Sequence, residues 1–282
     1  MSKLLRADFA RLWKTKAFWA GMAFTFGMGV TATMTKYRDM MTIKDYHPHI
    51  DNVLFSNCIF MPIVAAVFIG LFVGTEYSDG TIRNKIIVGR TRLSIYFSNF
   101  VVCMAALLMM HLANIGVIVV IGFPLVGNLE MPVSTLLFLG LLSIITLAAI
   151  CALFLLMSML IHSKASNCVA AILISLLLLV SAMMIWSSLA EPEYTDEYTV
   201  SYTDDEGENR EEHVESRKNP RYLTGTKRKV YEFLWDFLPG CQMRQISTQN
   251  PEHPERLPWY SLSIIIVTTA CGTVFFRRKN IK

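Results

Sequence analysis

Six long stretches of this 282-residue sequence contain no Asp, Glu, Lys or Arg. They are residues 17–35, 52–75, 93–129, 131–163, 165–190 and 257–276. A transmembrane α-helix needs about 20 apolar residues to cross the hydrocarbon core, so each stretch is long enough for one crossing. Charged residues make up 17% of the chain, against about 25% in soluble domains. The sequence therefore predicts an integral membrane protein and excludes a soluble globule or a disordered chain.

Length and turn residues predict where the helices begin and end. The stretch 93–129 is longer than one crossing requires, so Pro124 and Gly127 are predicted to end its helix near residue 122. The six predicted helices are 17–35, 54–74, 96–122, 133–160, 166–188 and 259–276. The first apolar run exceeds the roughly 7–15 residues of a secretory signal core, so we expect a retained helix instead of a cleaved signal peptide.

Basic residues predict the orientation of the helices. Six crossings place both termini on one side, and short loops rich in Lys and Arg lie in the cytoplasm. The two termini and the loops after the second and fourth predicted helices carry 14 basic and three acidic residues. All other segments together carry 12 basic and 19 acidic residues. The modest net charge of +4 thus hides a polarised chain, and both termini are predicted to be cytoplasmic.

The predicted domain organisation has five parts. Residues 1–16 form a basic amphipathic surface helix, which either anchors the chain or contacts a partner. Five membrane helices span 17–188, and the sixth spans 258–276. Between them lies an extracytoplasmic segment, 189–257, and a basic tail follows at 277–282. The predicted fold class is an all-α integral membrane bundle of six transmembrane helices with a small α+β extracytoplasmic domain between helices five and six.

The 189–257 segment carries its own local patterns. Residues 194–203 alternate along the chain with a period of two, which predicts a strand returning at 210–218 after a turn, with a charged linker as the alternative. Residues 227–238 predict an amphipathic helix that Pro239 and Gly240 end. Only Cys241 lies in this segment among six cysteines, so the segment closes no disulfide of its own.

Polar and small residues inside the predicted helices suggest roles in helix packing or in lining a substrate pathway. His111 and Asn114 share a helix face, and such groups in a membrane either line a pathway or make hydrogen bonds between helices. Gly70 and Gly74 form a small-residue pair that lets another backbone approach closely. Pro62 is expected to kink the second helix.

No pattern for catalysis or cofactor binding is present. The sequence lacks the glycine-rich loop that holds nucleotide phosphates. The sequence shows no obvious third ligand to join His47 and His49, so a solvated loop is favoured over a zinc site. No metal site is predicted. The chain is expected to bind no cofactor or nucleic acid and to be no enzyme by itself.

The segment 75–92 after the second helix is the most informative for function. It reads Thr-Glu-Tyr-Ser-Asp-Gly-Thr-Ile-Arg-Asn-Lys-Ile-Ile-Val-Gly-Arg-Thr-Arg. Ser78 or Asp79 is predicted to cap a short helix, with Ile82 and Ile86 on one face and Gly89 at its end. A basic loop that only sets topology explains the charges but leaves this apolar spacing unexplained.

This segment resembles the signature loop of type-2 ABC-transporter permeases, and the resemblance extends to the layout of most of the chain. The matching residues are Glu76, Tyr77, Gly80, Thr81, Arg83 and Asn84. The resemblance implies a permease without its own ATPase domain, located in the plasma membrane. It implies two copies of a separate ABC ATPase, which hold ATP and Mg, and a second permease copy or a paralogue. The short helix, with Ile82 and Ile86, would then be the coupling helix that docks on the ATPase.

An exporter is the leading functional interpretation. The 189–257 segment holds 15 acidic and nine basic residues, and a negative field attracts cations. We therefore expect an amphipathic substrate, such as a cationic antimicrobial peptide, although solubility alone also explains the charge. The alternatives are a membrane receptor or sensor with an extracytoplasmic ligand-binding domain, and an intramembrane enzyme, which the absence of a catalytic constellation disfavours.

Overall fold

The computed structural model describes residues 1–44, 46, 48–161, 163–203 and 209–279. Within these ranges the chain is almost entirely helical, with one two-stranded sheet. The helices are α1 (Ser2–Lys14), α2 (Lys16–Thr42), α3 (Asp51–Leu54), a 3-10 helix (Ser56–Phe60), α4 (Met61–Ser78), α5 (Thr81–Ile87), α6 (Arg92–Val126), α7 (Val133–Leu160), α8 (Lys164–Leu189), α9 (Gly225–Phe237), α10 (Pro239–Ser247) and α11 (Leu257–Arg278). The strands are β1 (Tyr198–Thr203) and β2 (Asn209–Val214).

Five helical segments of the described chain are long and apolar enough to cross a membrane. They are Asp51–Ser78, Arg92–Val126, Val133–Leu160, Lys164–Leu189 and Leu257–Arg278. The chain is therefore a multi-pass membrane protein. The first predicted span is present as α2, whose 27 residues suffice in length. Its glycine and threonine residues lower its mean hydropathy, however, and α2 is not among the five.

Two proline positions differ from the sequence-based expectation. Pro62 lies in the first turn of α4, where a missing backbone N–H costs nothing, so it does not kink the helix interior. Helix α6 continues through Pro124 to Val126 and ends at Gly127, whose φ is 111°. The expected end near residue 122 is thus wrong, because a proline so close to a helix end removes only one of the last hydrogen bonds.

The bundle has two ends that differ in content. At one end, α1 and α5 lie beside the start of α6 and the end of α11, and we call this the α5 end. At the other, α10 packs against α7, α8, α9 and the 3-10 helix, and we call this the α10 end. Between the ends, α2 packs along α6, α4 along α8, and α11 along α7.

The strands lie where the alternating pattern predicts a hairpin. β1 and β2 pair antiparallel, from Tyr198 opposite Val214 to Thr203 opposite Asn209. An isolated bridge between Tyr194 and Lys218 extends the same pairing towards α8. The predicted turn falls mostly on residues 204–208, which lie outside the described residues.

Helix α10 is an element that the sequence patterns did not predict. Pro239 follows the end of the preceding helix, as the sequence predicts, but it also begins α10 immediately after Leu238. The helix is buried although it is polar, because its amides are paired: Gln242 Oε1 accepts hydrogen bonds from Thr146 (3.1 Å) and Ser261 (2.6 Å). Cys241 is fully buried in α10, so it is not available for a disulfide with another chain.

Gly240 sets how closely α10 approaches α8. A Cβ atom at this position would lie 2.6 Å from the carbonyl oxygen of Leu178, which is closer than real Cβ atoms come to a backbone atom. We expect Gly240→Ala to lower the free energy of unfolding by about 1–3 kcal/mol, the usual cost of overpacking. Thermal unfolding in detergent, followed by the reaction of newly exposed cysteines with a maleimide dye, measures the change.

Gly116→Ala is the matched control, since a Cβ at Gly116 of α6 meets nothing within 4 Å. It should leave the unfolding temperature unchanged or raise it, because alanine favours a helix over glycine by up to about 1 kcal/mol. Equal unfolding temperatures for Gly240→Ala and the unmodified protein would contradict the close packing of α10 on α8.

Candidate functional site: the 75–92 segment

The 75–92 segment connects α4 to α6 through the short helix α5. Glu76 and Tyr77 lie in the last turn of α4, which continues to Ser78, beyond the predicted end at residue 74. Gly80 adopts a left-handed conformation (φ 67°) and precedes α5, so the predicted caps Ser78 and Asp79 do not cap it. Gly89 (φ 83°) follows α5, as the sequence predicts. Glycine tolerates positive φ at both positions without the strain that a Cβ would cause.

Glu76 is the centre of a buried ion network at the α5 end. Its side chain has no exposed surface. Oε1 pairs with the Arg11 guanidinium of α1 (2.8 Å) and with the Lys85 ammonium of α5. Oε2 accepts a hydrogen bond from the Asn99 amide of α6 (2.9 Å). One carboxylate therefore joins four helices: α1, α4, α5 and α6.

Asp8 of α1 completes this network. It is almost fully buried, and it accepts hydrogen bonds from Lys85 (2.7 Å) and from the Ser98 hydroxyl of α6 (2.5 Å). The two carboxylates of Asp8 and Glu76 thus balance the two cations of Arg11 and Lys85. Balance matters here because a buried charge without a partner is strongly destabilising. We call Asp8, Arg11, Glu76, Lys85, Ser98 and Asn99 the ion network.

The same segment holds the ends of two membrane helices. The Tyr77 hydroxyl donates to the Met159 carbonyl at the end of α7 (2.6 Å). Arg92 NH1 donates to the carbonyls of Phe276 (2.8 Å) and Arg277 (2.9 Å) at the end of α11. Cations and donors at a helix C-terminus satisfy carbonyls that lack a partner within the helix. Movement of the 75–92 segment would therefore displace α7 and α11 directly.

Lys279 adds a further contact at this end. Its ammonium donates to the Met159 carbonyl (2.7 Å) and lies 4.1 Å from the centre of the Tyr77 ring. Burial lowers the pKa of Lys279 from its usual 10.5 to about 8. Through these two contacts Lys279, the residue after α11, packs against the ends of α4 and α7.

The apolar face of α5 differs from the expected one. Ile82 is 1% exposed and Ile86 is half-buried, so this face packs largely against the chain itself. The exposed apolar residues are Ile87 (71%), which ends α5, and Val88 (76%), which follows it, and the i, i+4 spacing does not identify either. The i, i+4 spacing identified an apolar face correctly, but it contains no information on what covers that face.

The polar residues of α5 lie towards solvent or towards α1. Arg83 and Asn84 are exposed, while Gly80 and Thr81 are half-buried. A groove of about 360 Å³ separates α5 from α1. Thr81, Asn84 and Val88 line it on one side, and residues of α1 line it on the other.

His111 and Asn114 make hydrogen bonds between helices. His111 Nε2 lies 2.9 Å from the Ser143 hydroxyl of α7. Asn114 donates to the Thr25 carbonyl of α2 (2.8 Å). Both residues are at least 96% buried, and their hydrogen bonds connect α6 to α7 and α2.

Gly70 and Gly74 lie where α4 meets α8. A Cβ on Gly70 would be 3.3 Å from the Cα of Cys168, and one on Gly74 would be 3.2 Å from the Cα of Lys164. Asn167 of α8 donates to the Gly70 carbonyl (3.2 Å) within the same contact. The two backbones therefore approach closely along this face.

No cluster of three or more His, Cys, Asp or Glu suited to a metal ion occurs among the described residues. His47 lies outside them. His49 lies 3.4 Å from a Glu130 oxygen, an exposed contact at the α10 end.

Removing the charge of Glu76 tests the ion network. Glu76→Gln leaves Arg11 and Lys85 buried with one carboxylate between them, so the free energy of unfolding should fall by about 3–5 kcal/mol. The cysteine-reactivity assay in detergent measures this loss.

Asp79→Asn serves as the control, because Asp79 is an exposed carboxylate three positions further along the chain. Its effect should be within about 0.5 kcal/mol, as for most surface substitutions. Equal losses for the two variants would show that Glu76 is not held by buried partners.

One family comparison bears on this architecture. Residues 4–182, from α1 into α8, match the family described as ABC-2 family transporter protein. No curated protein matches the sequence. The match includes α5, the ion network, the long helices α2, α4, α6 and α7, and most of α8. This chain is a member of the ABC-2 transporter family of membrane permeases.

Proposed function

We propose that this chain is the membrane-spanning permease subunit of an ATP-driven exporter. Members of the ABC-2 family work with an ABC ATPase, so a partner of that class is implied. The chain itself is proposed to be no enzyme and to bind no cofactor. ATP and Mg belong to two copies of the partner ATPase, and two permease subunits, identical or paralogous, complete the complex in the plasma membrane.

The proposed topology has six spans, with α2 as the first. At about 1.5 Å per residue, the 27 residues of α2 reach about 40 Å, which exceeds the hydrocarbon core. The helix lies against α6, and the Asn114–Thr25 hydrogen bond joins the two along their length. Six spans place both termini at the same end, in agreement with the contacts of α1 and Lys279 at the α5 end. The basic residues make that end cytoplasmic.

The observation that carries the proposal is the combination of a rigid base and an exposed apolar tip on α5. The ion network holds Lys85 against Asp8 of α1 and Glu76 of α4, while Ile87 and Val88 at the tip are exposed. An exposed apolar pair on a short helix is suited to insertion into an apolar pocket of a partner, because removing apolar surface from water favours association. The buried ion pairs of Lys85 with Asp8 and Glu76 would transmit a movement of the tip to the membrane helices.

The proposed coupling runs from the partner ATPase through α5. Closure of the two ATPase copies displaces the α5 tip. The ion network passes the displacement to α1, α4 and α6, while Tyr77 and Arg92 pass it to the ends of α7 and α11. All of these long helices then shift together, which opens and closes the pathway between the two permease subunits.

The tip variant Ile87→Glu/Val88→Glu tests this role. Two carboxylates at the tip cannot enter an apolar pocket without losing hydration, so recovery of ABC ATPase with the tagged chain should fall about tenfold or more. The measurement is co-purification from native membranes, with the ATPase identified by mass spectrometry and by ATP hydrolysis.

Val230→Glu is the control, since Val230 of α9 is an apolar residue 48% exposed, outside the α5 region. It should retain the ATPase, and both variants should keep the unmodified unfolding temperature. Full recovery with the tip variant would exclude the α5 tip as the docking contact.

The proposed substrate is a cationic amphipathic peptide, attracted by the excess of acidic residues in the 189–257 segment. Four of these, Asp204, Asp205, Glu206 and Glu208, lie outside the described residues. Their combined neutralisation to Asn and Gln should reduce peptide-stimulated ATP hydrolysis in proteoliposomes. The effect should be largest at about 10 mM salt, where charges act over about 30 Å.

The control for this experiment neutralises Lys227 and Lys229 of α9. It makes the segment more acidic, so it should preserve or increase the peptide stimulation. Unchanged stimulation at low salt after loss of the four carboxylates would remove the support for a cationic substrate.

A further inference from the structure

A groove between α6 and α11 opens at the α5 end. It has a volume of about 600 Å³ and is lined by Thr91, Arg92, Leu93, Thr273, Val274 and Arg277. This volume is within the range of about 300–1,000 Å³ that is usual for small-molecule sites. We call it the α6–α11 groove.

The polar side of the groove is cationic and has no acidic counterpart. Neither Arg92 nor Arg277 pairs with a carboxylate among the residues that the structure describes. Arg92 uses NH1 for the carbonyls at the end of α11, while its Nε and NH2 make no hydrogen bond within that part of the chain. Guanidinium groups bind phosphate oxygens well because they present several donors in one plane.

The other side of the groove is apolar and open. Leu93 is 55% exposed and Val274 is 50% exposed. Phe97, one turn further along α6, is also exposed. The cationic side thus passes into an apolar surface on two candidate membrane spans. A ligand that matches both sides has an anionic head and an apolar tail.

The position of the groove favours a lipid as that ligand. Basic pockets between transmembrane helices on the cytoplasmic side are suited to anionic lipid head groups, and the inner leaflet supplies them. The groove of about 350 Å³ between α2 and α4 offers a contrast, since it is lined only by Ala, Gly, Val, Ile, Leu and Phe side chains. Acyl chains fit there too, but nothing in its lining selects a head group.

We propose that the α6–α11 groove binds an anionic phospholipid, with the phosphate at Arg92 and Arg277 and an acyl chain along Leu93 and Val274. This site is separate from the proposed ATPase contact, and lipid binding to the isolated chain requires no ATPase. Because Arg92 also holds the end of α11, an occupied groove would stabilise the contact between the 75–92 segment and α11.

Arg277→Gln tests the head-group contact without disturbing the carbonyls that Arg92 holds. Native mass spectrometry of the full chain in detergent, with added phosphatidylglycerol or phosphatidylcholine, measures the affinity for each lipid. The unmodified protein should prefer phosphatidylglycerol, and Arg277→Gln should reduce that preference about fivefold, as expected for one basic residue near an anionic lipid. Val274→Trp should fill the apolar side and weaken the binding of both lipids.

Arg278→Gln is the matched control, because Arg278 is an exposed neighbour with the same charge that does not line the groove. It should keep the lipid preference, and all variants should keep the unmodified unfolding temperature. Any of three results would overturn the proposal: no preference in the unmodified protein, equal losses for the two arginine variants, or unchanged binding in Val274→Trp. Displacement of the lipid by an equal concentration of soluble glycerophosphoglycerol would overturn it in favour of a free-anion site.

Discussion

The buried carboxylate of Glu76 is the interaction on which the rest of this architecture depends. It lies at the point where a membrane helix ends, and it is paired with cations from α1 and α5 and with an amide from α6. A carboxylate removed from water is stable only with such partners. The requirement for pairing therefore fixes the positions of three other helices relative to α4. It makes the α5 end a single rigid unit instead of a set of loops.

Local signals in the sequence predicted much of the bundle. The predicted limits of α7, 133–160, match the structure because Pro132 lies immediately before its first residue and an uncharged run continues to its end. The ion network was not predictable in the same way, because Asp8 and Lys85 are 77 positions apart and only the fold brings them together. Helix α10 was missed because Gln242 and Gln245 look like surface residues, although each is fully buried with hydrogen-bond partners.

The candidate site shows the same division between local and long-range information. The glycines at 80 and 89 mark the limits of α5 because their backbone conformations are local properties. Ile82 is buried and Ile86 is half-buried within the chain, and periodicity cannot distinguish a face covered by the chain's own helices from one left for a partner. Family membership implies the class of partner, an ABC ATPase. The burial of each side chain shows that Ile87 and Val88 are the apolar residues left exposed for such a partner.

The central claim is that the tip of α5 contacts an ABC ATPase, and site-specific photo-crosslinking tests it most directly. A photoreactive amino acid replaces Val88 in the full chain, native membranes are irradiated, and adducts are identified by mass spectrometry. The account predicts a protein adduct with an ABC ATPase from position 88 and none from position 230 of α9. Adducts with lipid alone at position 88, or an equal yield of ATPase adduct at both positions, would contradict it.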